Sequence, residues 1–255
     1  MSLRPKKSLG QHFLRDHNIL RKIALSAGIR PGERVLEIGP GEGALTEYLL
    51  SVCEDVLAIE VDARAVELLQ VKFPDLNVMH ADFLSLSLPE LLRPDGQNVI
   101  IGNIPYNITS PILFKVMDAG PVYRRSVFLM QQEVAQRLVA NPGTKAYGIL
   151  SVQAQLLGEV EYLFDVSRHV FYPKPNVESG VISFTPHTAP LEVPLDQLKT
   201  VVRTAFNQRR KKLSNSLKAL ITEHKPDGVS FNLDLRPDQL HPKEFITLTQ
   251  ALFNP

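Results

Sequence analysis

The sequence predicts an α/β fold: a parallel sheet with helical crossovers, followed by a small all-helical carboxyl-terminal domain. Three observations predict it. From residue 34 to about 140, short apolar runs of strand length alternate with stretches at helical spacing, the pattern of βαβ units. A glycine-rich turn, Gly39-Pro-Gly-Glu-Gly43, joins the first of these runs to a helical stretch. Beyond Pro186 the periodicity changes, with prolines 186, 190 and 194 marking a linker before several short helices. At 255 residues the chain is long enough for one large domain or two unequal ones. Its 44% apolar and 22% charged residues exclude a disordered or fibrous protein.

Asp16 or Asn18 caps a first helix in which Ile19, Leu20, Ile23, Ala24 and Ala27 share a face, ended by Gly28 and Pro31. Strands follow at Arg34–Ile38 and Val56–Glu60. A helix to about Ser51 lies between them, and another, capped by Asp62, runs to about Phe73. Residues 77–80 and 98–101 read as the third and fourth strands, and Ser126–Met130 as the fifth after a helix from Pro111 to about Asp118. A helix over Val134–Ala140 precedes two alternating strands, Glu159–Val166 and Gly180–Phe184, linked by the proline-rich Phe171–Pro175. Asp196–Phe206, Leu213–Glu223 and the stretch from Pro237 are helical. The expected domains are a basic arm and helix over 1–30, a catalytic domain over 31–187 and a small basic helical domain over 188–255. There are no internal repeats.

The single cysteine, Cys53, excludes an internal disulfide and a Cys-rich zinc site, and makes a reducing, cytosolic setting the default. The first ten residues lack the apolar core of a signal peptide, and no run reaches the eighteen or so apolar residues of a membrane span. A soluble cytoplasmic monomer without a membrane partner is expected. The formal net charge of +1 argues, taken alone, against a polyanionic partner. It is a cancellation. Residues 37–95 carry −9, residues 1–22 carry +5, and residues 199–218 carry +7 with no acid among them. Two acid-poor clusters point to phosphate contact, with Lys6, Lys7, Arg209, Arg210, Lys211 and Lys212 as the candidate RNA-binding side chains.

Gly39, Gly41 and Gly43 between strand and helix form a nucleotide-type turn, which admits a ligand against the main chain beside a helix N-terminus. Glu60, about twenty residues on at a strand end, is placed to accept hydrogen bonds from ribose hydroxyls, in NAD or in S-adenosylmethionine. Asp82 follows the third strand and faces the same crevice, where it can accept from an adenine amine while Phe83 packs beside the ring; taken alone, it reads equally as a helix cap or turn residue. Asn103-Ile-Pro-Tyr106 follows the fourth strand. The Asn103 amide oxygen and one backbone carbonyl, that of Ile104 or Pro105, suit an NH2 group that must lose its conjugation to attack, and Tyr106 offers a face for a base. No metal motif is present in this pattern.

The chain resembles the small-subunit (16S) ribosomal RNA adenine N6,N6-dimethyltransferase family of the bacterial KsgA/RsmA type. Lys7–Leu14, Glu37-Ile-Gly-Pro-Gly-x-Gly43, Ile59-Glu60, Ala81-Asp82, Asn103–Pro111, Phe171-x-Pro-x-Pro-x-Val-Glu-Ser179 and Phe206–Lys211 follow in the family's order, nearly end to end. The resemblance implies a class I, Rossmann-like methyltransferase sheet of seven strands with the last antiparallel. It implies S-adenosylmethionine as methyl donor, no metal, and dimethylation of N6 on two adjacent adenosines near the 3′ end of the RNA of an immature small subunit. By resemblance His12 and Leu14 line the cofactor pocket, with Gly39 under the methionine end, Glu60 on the ribose and Asp82 on the adenine amine. Asn103 then reaches both the cofactor region and the target N6, and Phe171 faces Tyr106 across a flipped adenine. Many relatives carry Asn where this chain has His12.

Three rival readings are weighed on the same residues. An NAD-dependent oxidoreductase fits the glycine turn and Glu60 but leaves Asn103–Tyr106 and the basic segments without a role. An RNA-binding assembly factor needs no catalysis. A glutamine-amide methyltransferase asks for similar Asn-Pro-Tyr geometry but not for an Arg-rich carboxyl-terminal domain.

Overall fold

The computed structural model describes residues 3–224 and 231–253. After a short strand β1 (Phe13–Leu14) and helix α1 (His17–Ser26), the alternation runs β2 (Arg34–Ile38), α2 (Ala44–Leu50), β3 (Asp55–Glu60), α3 (Ala63–Lys72), β4 (Asn77–His80), α4 (Leu88–Leu91), β5 (Asn98–Asn103), α5 (Thr109–Asp118), β6 (Arg125–Gln131) and α6 (Gln132–Leu138). Then come α7 (Ile149–Leu157), β7 (Gly158–Val166), β8 (Phe171–Tyr172), β9 (Ser179–Pro186), α8 (Leu195–Asn207), α9 (Leu213–Ser216), α10 (Lys218–His224) and α11 (Pro242–Phe253). Asp16 rather than Asn18 caps α1, its carboxylate accepting from the Asn18 and Ile19 amides, and Asp62 caps α3.

Seven strands form one sheet in the order β4-β3-β2-β5-β6-β9-β7. Pairing is parallel from β4 across to β6, with Val35 opposite both Val56 and Val99. The last strand of the chain, β9, runs antiparallel to β6, as expected of this sheet. Its central strands are near-continuous runs of Val, Ile and Leu because helices cover a parallel sheet on both faces. The strand order reverses at β2, with β3 on one side and β5 on the other. That is the topological switch point, where the carboxyl ends of parallel strands open a crevice. β1 and β8 form a separate two-stranded antiparallel pair, Phe13 opposite Tyr172 and Leu14 opposite Phe171.

The chain divides into two compact units. One comprises residues up to Ala135 with Glu159–Thr188, and the other Gln136–Gly158 with the residues from Ala189 on. The chain passes between the units after Ala135, after Gly158 and after Thr188, and the division expected near 188 lies at the third of these crossings. Residues 1–30 are no separate body, since Leu14, Leu20, Ile23 and Ala27 belong to the core of the sheet unit. Residues 136–158, expected in the catalytic domain, belong to the helical unit. There Tyr147, Val152 and Leu156 share a core with Val201, Leu213, Phe245 and Leu248. Periodicity does not announce α7, because Ser151 and Gln153 are buried along with its apolar residues and no amphipathic contrast marks it. The expected helix over 213–223 is two helices, separated at Leu217.

Candidate active site

The functional residues sit where four strands end. After β2, Gly39, Gly41 and Gly43 all have positive φ, at 68°, 54° and 76°. At Gly43 a Cβ would stand 2.7 Å from the Phe73 ring and 2.8 Å from Leu69, so only glycine lets α2 start this close to α3. At Gly41 a Cβ would stand 3.0 Å from the Phe13 ring of the amino-terminal arm.

Glu60 ends β3 and is buried. Its Oε2 accepts from the Gly41 amide at 3.0 Å and its Oε1 from the Val61 and Asp62 amides at 2.9 Å each. A carboxylate has about four acceptor positions, so one remains on Oε2. Burial pushes its pKa up against these three amides. Asp82 follows β4 and is exposed. Its Oδ1 caps the next turn by accepting from Leu84 N at 2.9 Å, and Oδ2 has no partner among the described residues. Phe83 beside it is buried.

Asn103 is the last residue of β5. Its Nδ2 donates to the backbone carbonyl of His12 at 3.0 Å, which leaves Oδ1 as an acceptor. The Pro105 carbonyl receives both the Ile108 amide at 3.2 Å and the Thr109 hydroxyl at 3.0 Å, filling its two lone pairs. Of the two carbonyls open on sequence, that of Ile104 is therefore the one left without a hydrogen bond among the described residues. Pro105, expected among the catalytic residues, holds the turn. Tyr106 shares a 2.6 Å hydrogen bond with the Ser179 hydroxyl and stacks on His12, centroids 5.4 Å apart. His12 in turn donates from Nδ1 to the Pro173 carbonyl at 2.7 Å.

The expectation for Phe171 needs correcting. It is 4% exposed, sits in the core with Leu14, Leu20 and Ile23, and is not among the residues that line the cleft. Pairing with Leu14 across the β1–β8 ladder draws it inward, while its neighbour Tyr172 is exposed under the Arg15 guanidinium, 4.4 Å away. The ring that does stack on Tyr106 is His12.

Sequence reasoning missed the centre that fastens the arm. The Asp62 side chain, 0% exposed, takes Lys6 Nζ at 3.0 Å, Gln11 Nε2 at 3.1 Å and Arg64 Nη2 at 2.6 Å. The Arg64 guanidinium, with Lys6 and Gln11, holds its carboxyl well below the usual range despite burial. Asp62 was legible only as a helix cap, because its other partners in the arm lie about fifty residues or more away. Lys6, expected on RNA, is thus committed to the protein. Lys7 is exposed and unpaired among the described residues.

The cleft these residues line encloses about 1140 Å³ free of protein atoms, open solvent at its mouth included. It is lined from the arm by His12 and Leu14, from the glycine turn by Gly39 and Gly41, and by Glu60, Asp82, Phe83, Asn103 and Tyr106. Glu37, Ile108 and Ile112 also belong to its wall.

In the helical unit the basic cluster is of two kinds. The Arg209 guanidinium donates to the Thr144 and Lys145 carbonyls, at 2.8 Å each, and lies 3.5 Å from Asp238. Lys212 pairs with Asp234 at 2.9 Å. Arg210 and Lys211 are exposed, with no partner among the described residues. Among those residues no helix is long and apolar enough to cross a membrane. No group of His, Cys, Asp and Glu among them is placed to hold a metal ion.

A family model described as ribosomal RNA adenine dimethylase matches residues 2–252. The chain is 45% identical over 256 residues to the ribosomal RNA small subunit methyltransferase A of Chlorobium phaeobacteroides (strain BS1), covering 97% of this chain and 93% of that protein. Among solved structures, a dimethyladenosine transferase from Plasmodium falciparum superposes with a TM-score of 0.78 at 27% identity, covering 92% of this chain and 95% of that one. The 23S rRNA methyltransferase ErmE superposes at 0.67 and 28% identity, covering 94% and 99%.

Proposed function

The chain belongs to the ribosomal RNA adenine dimethylase family; it is an S-adenosylmethionine-dependent methyltransferase that dimethylates adenine in ribosomal RNA, and we propose that Asn103, the Ile104 carbonyl and Tyr106 carry the chemistry. The substrate we infer is N6 of two adjacent adenosines near the 3′ end of 16S rRNA, in an immature small subunit, worked on by a single cytoplasmic chain. The 45% identity to a small-subunit enzyme over nearly the whole length supports that choice.

The residues present fit the methyl donor. Gly39 and Gly41 bring bare backbone to the cleft, Glu60 Oε2 keeps one acceptor position for a ribose hydroxyl, and Asp82 Oδ2 is open for the adenine amine beside Phe83. His12 and Leu14 close the cleft from the arm. When bound, S-adenosylmethionine supplies an already activated methyl group, so the protein's task is aim. Asn103 Oδ1 and the Ile104 carbonyl accept the two N6–H groups in the first transfer, and one of them accepts the single N6–H that remains in the second. That draws the nitrogen lone pair out of conjugation and disperses the positive charge that develops on it. The Asn103 side chain cannot turn over to present Nδ2, because that nitrogen is held by the His12 carbonyl. With His12 against one face of Tyr106, the other face is the platform for the flipped base, offsetting part of its unstacking cost.

The single observation that carries this reading is the Asn103–Tyr106 turn, with one amide oxygen and one carbonyl left open at the switch point of the sheet. Asn103→Ala is expected to lower kcat for radiolabel transfer to unmodified small subunits by about 10²–10³-fold, the worth of one preorganised transition-state contact. Calorimetric affinity for S-adenosylmethionine should stay near the parent's. Nucleoside digestion should show N6,N6-dimethyladenosine from the parent protein. A variant that methylates at the parent rate would remove Asn103 from the chemistry.

A further inference from the structure

Lys115 has no place in the chemistry above, yet its ammonium is among the most thoroughly engaged groups in the sheet unit. It donates to the Phe83 carbonyl at 2.7 Å, to the Leu84 carbonyl at 2.9 Å and to the Leu86 carbonyl. It also lies 5.0 Å from the centroid of the Phe83 ring. Three donors meet three backbone acceptors, the full capacity of an ammonium group. The acceptors all belong to one turn, the one that follows Asp82. Within that turn Asp82 Oδ1 already holds Leu84 N, and the Ser85 hydroxyl donates to the Asp82 carbonyl at 2.7 Å. Lys115 stands on α5 three residues beyond Ile112, which lines the cleft, and at that spacing the two share a helix face. The same helix begins directly after the Tyr106–Ile108 turn of the catalytic loop.

We propose that Lys115 is a positioning residue for recognition of the donor's adenine: it gathers the 83–86 carbonyls to one point and so fixes Asp82 Oδ2 and the Phe83 ring relative to the catalytic loop. This rests on the reading that Asp82 receives the adenine amine. The gathering needs a point-like cation. An arginine fork is planar and spreads its donors, so it cannot converge on three acceptors around one nitrogen. A neutral chain leaves the Leu84 and Leu86 carbonyls to water and the Phe83 carbonyl with only the Leu86 amide at 3.3 Å, and lets the turn drift. A merely structural tie would show as lost thermal stability alone, whereas a positioning role shows in which base the cleft prefers.

The test compares S-adenosylhomocysteine with S-inosylhomocysteine by titration calorimetry. The second ligand carries a carbonyl oxygen where adenine has its amine, and so sets acceptor against acceptor at Asp82. The parent is expected to favour the adenine form by at least about tenfold, as a site built to bind a hydrogen-bond donor does. In Lys115→Met the preference should fall to within about threefold, through weaker binding of the adenine form. In the Lys115→Cys protein, aminoethylation with bromoethylamine rebuilds an ammonium at lysine length and should restore the parent ratio. The parent, whose Cys53 is buried, is the control for that treatment. If Lys115→Met does not melt cooperatively, Lys115→Arg is read instead and should lose the preference likewise. A folded Lys115→Met or Lys115→Arg protein with the parent ratio, or no recovery on aminoethylation, overturns the proposal. Asp82→Ala separates the two readings: if it keeps the parent ratio, the assignment of Asp82 fails, whatever Lys115 does.

Discussion

Glu37, 1% exposed in β2, has one side-chain hydrogen bond, from the Thr46 hydroxyl at 2.7 Å. Burial pushes its carboxyl up to about 8, and the nearby Glu60 adds to the rise against that hydroxyl. The sign of the consequence follows from proton counting. Between the ordinary value near 4.5 and about 8, the folded chain holds a proton on Glu37 that the unfolded chain has released, so stability falls as pH rises through that interval. The slope from this one group approaches about 1.4 kcal/mol per pH unit. Glu37→Gln removes the titration. Urea unfolding should therefore find the variant's stability relative to the parent higher at pH 8.5 than at pH 5.5, and an equal difference at both would deny the buried proton. None of this is legible in Val-Leu-Glu-Ile, which names an acid in a strand but not the sheet and helices that dry it. The identities of Glu60, Asp82, Asn103 and Tyr106 were readable because each stands at or just past the end of an apolar run. Which carbonyl accompanies Asn103 was not, since that depends on Ile108 and Thr109 filling Pro105.

At the scale of elements, the parallel strands and their crossovers follow from period and caps, and the structure moves most of their ends by only a residue or two. The arm is different. β1 and β8 are two residues long and carry no alternation, yet their pairing closes one side of the cleft and turns Phe171 into the core. The fastening lies in Gln11. Its Oε1 accepts from the Lys6 amide at 2.8 Å while its Nε2 reaches Asp62. Gln11→Ala removes both bonds and leaves Asp62 still paired with Lys6 and Arg64. Losing about 1.4 kcal/mol of local stability is a tenfold change in opening, within the worth of a hydrogen bond to a charged group. Amide exchange over residues 6–14 should accelerate by about that factor while α8 stays unchanged. Exchange that is unaltered in the arm would show that the Gln11 bonds do not hold the strap.

For the whole molecule, the near-zero net charge hides an acidic cofactor half and two basic segments, and the structure sorts the basic side chains further. Lys6, Arg209 and Lys212 are paired within the protein, whereas Lys7, Arg210 and Lys211 have no partner among the described residues. The salt dependence of rRNA binding should therefore flatten when Arg210 and Lys211 are changed to Gln, by about 0.7–0.9 in the log–log slope for each phosphate no longer neutralised. Arg209→Gln should chiefly lower the melting temperature, because it frees the Thr144 and Lys145 carbonyls. A slope that responds to Arg209 and not to Arg210 or Lys211 would reverse this assignment. The sequence by itself determined the sheet, the strand-end residues and the family, because those depend on local periodicity and on motifs contiguous in the chain. Only the tertiary structure decided which lone pairs and which charges remain free. Hydrogen bonds and ion pairs are filled by whatever the fold brings within about 3 Å, and Asp62, Lys115 and Arg209 each take partners far away in the chain, whose nearness the chain order does not announce.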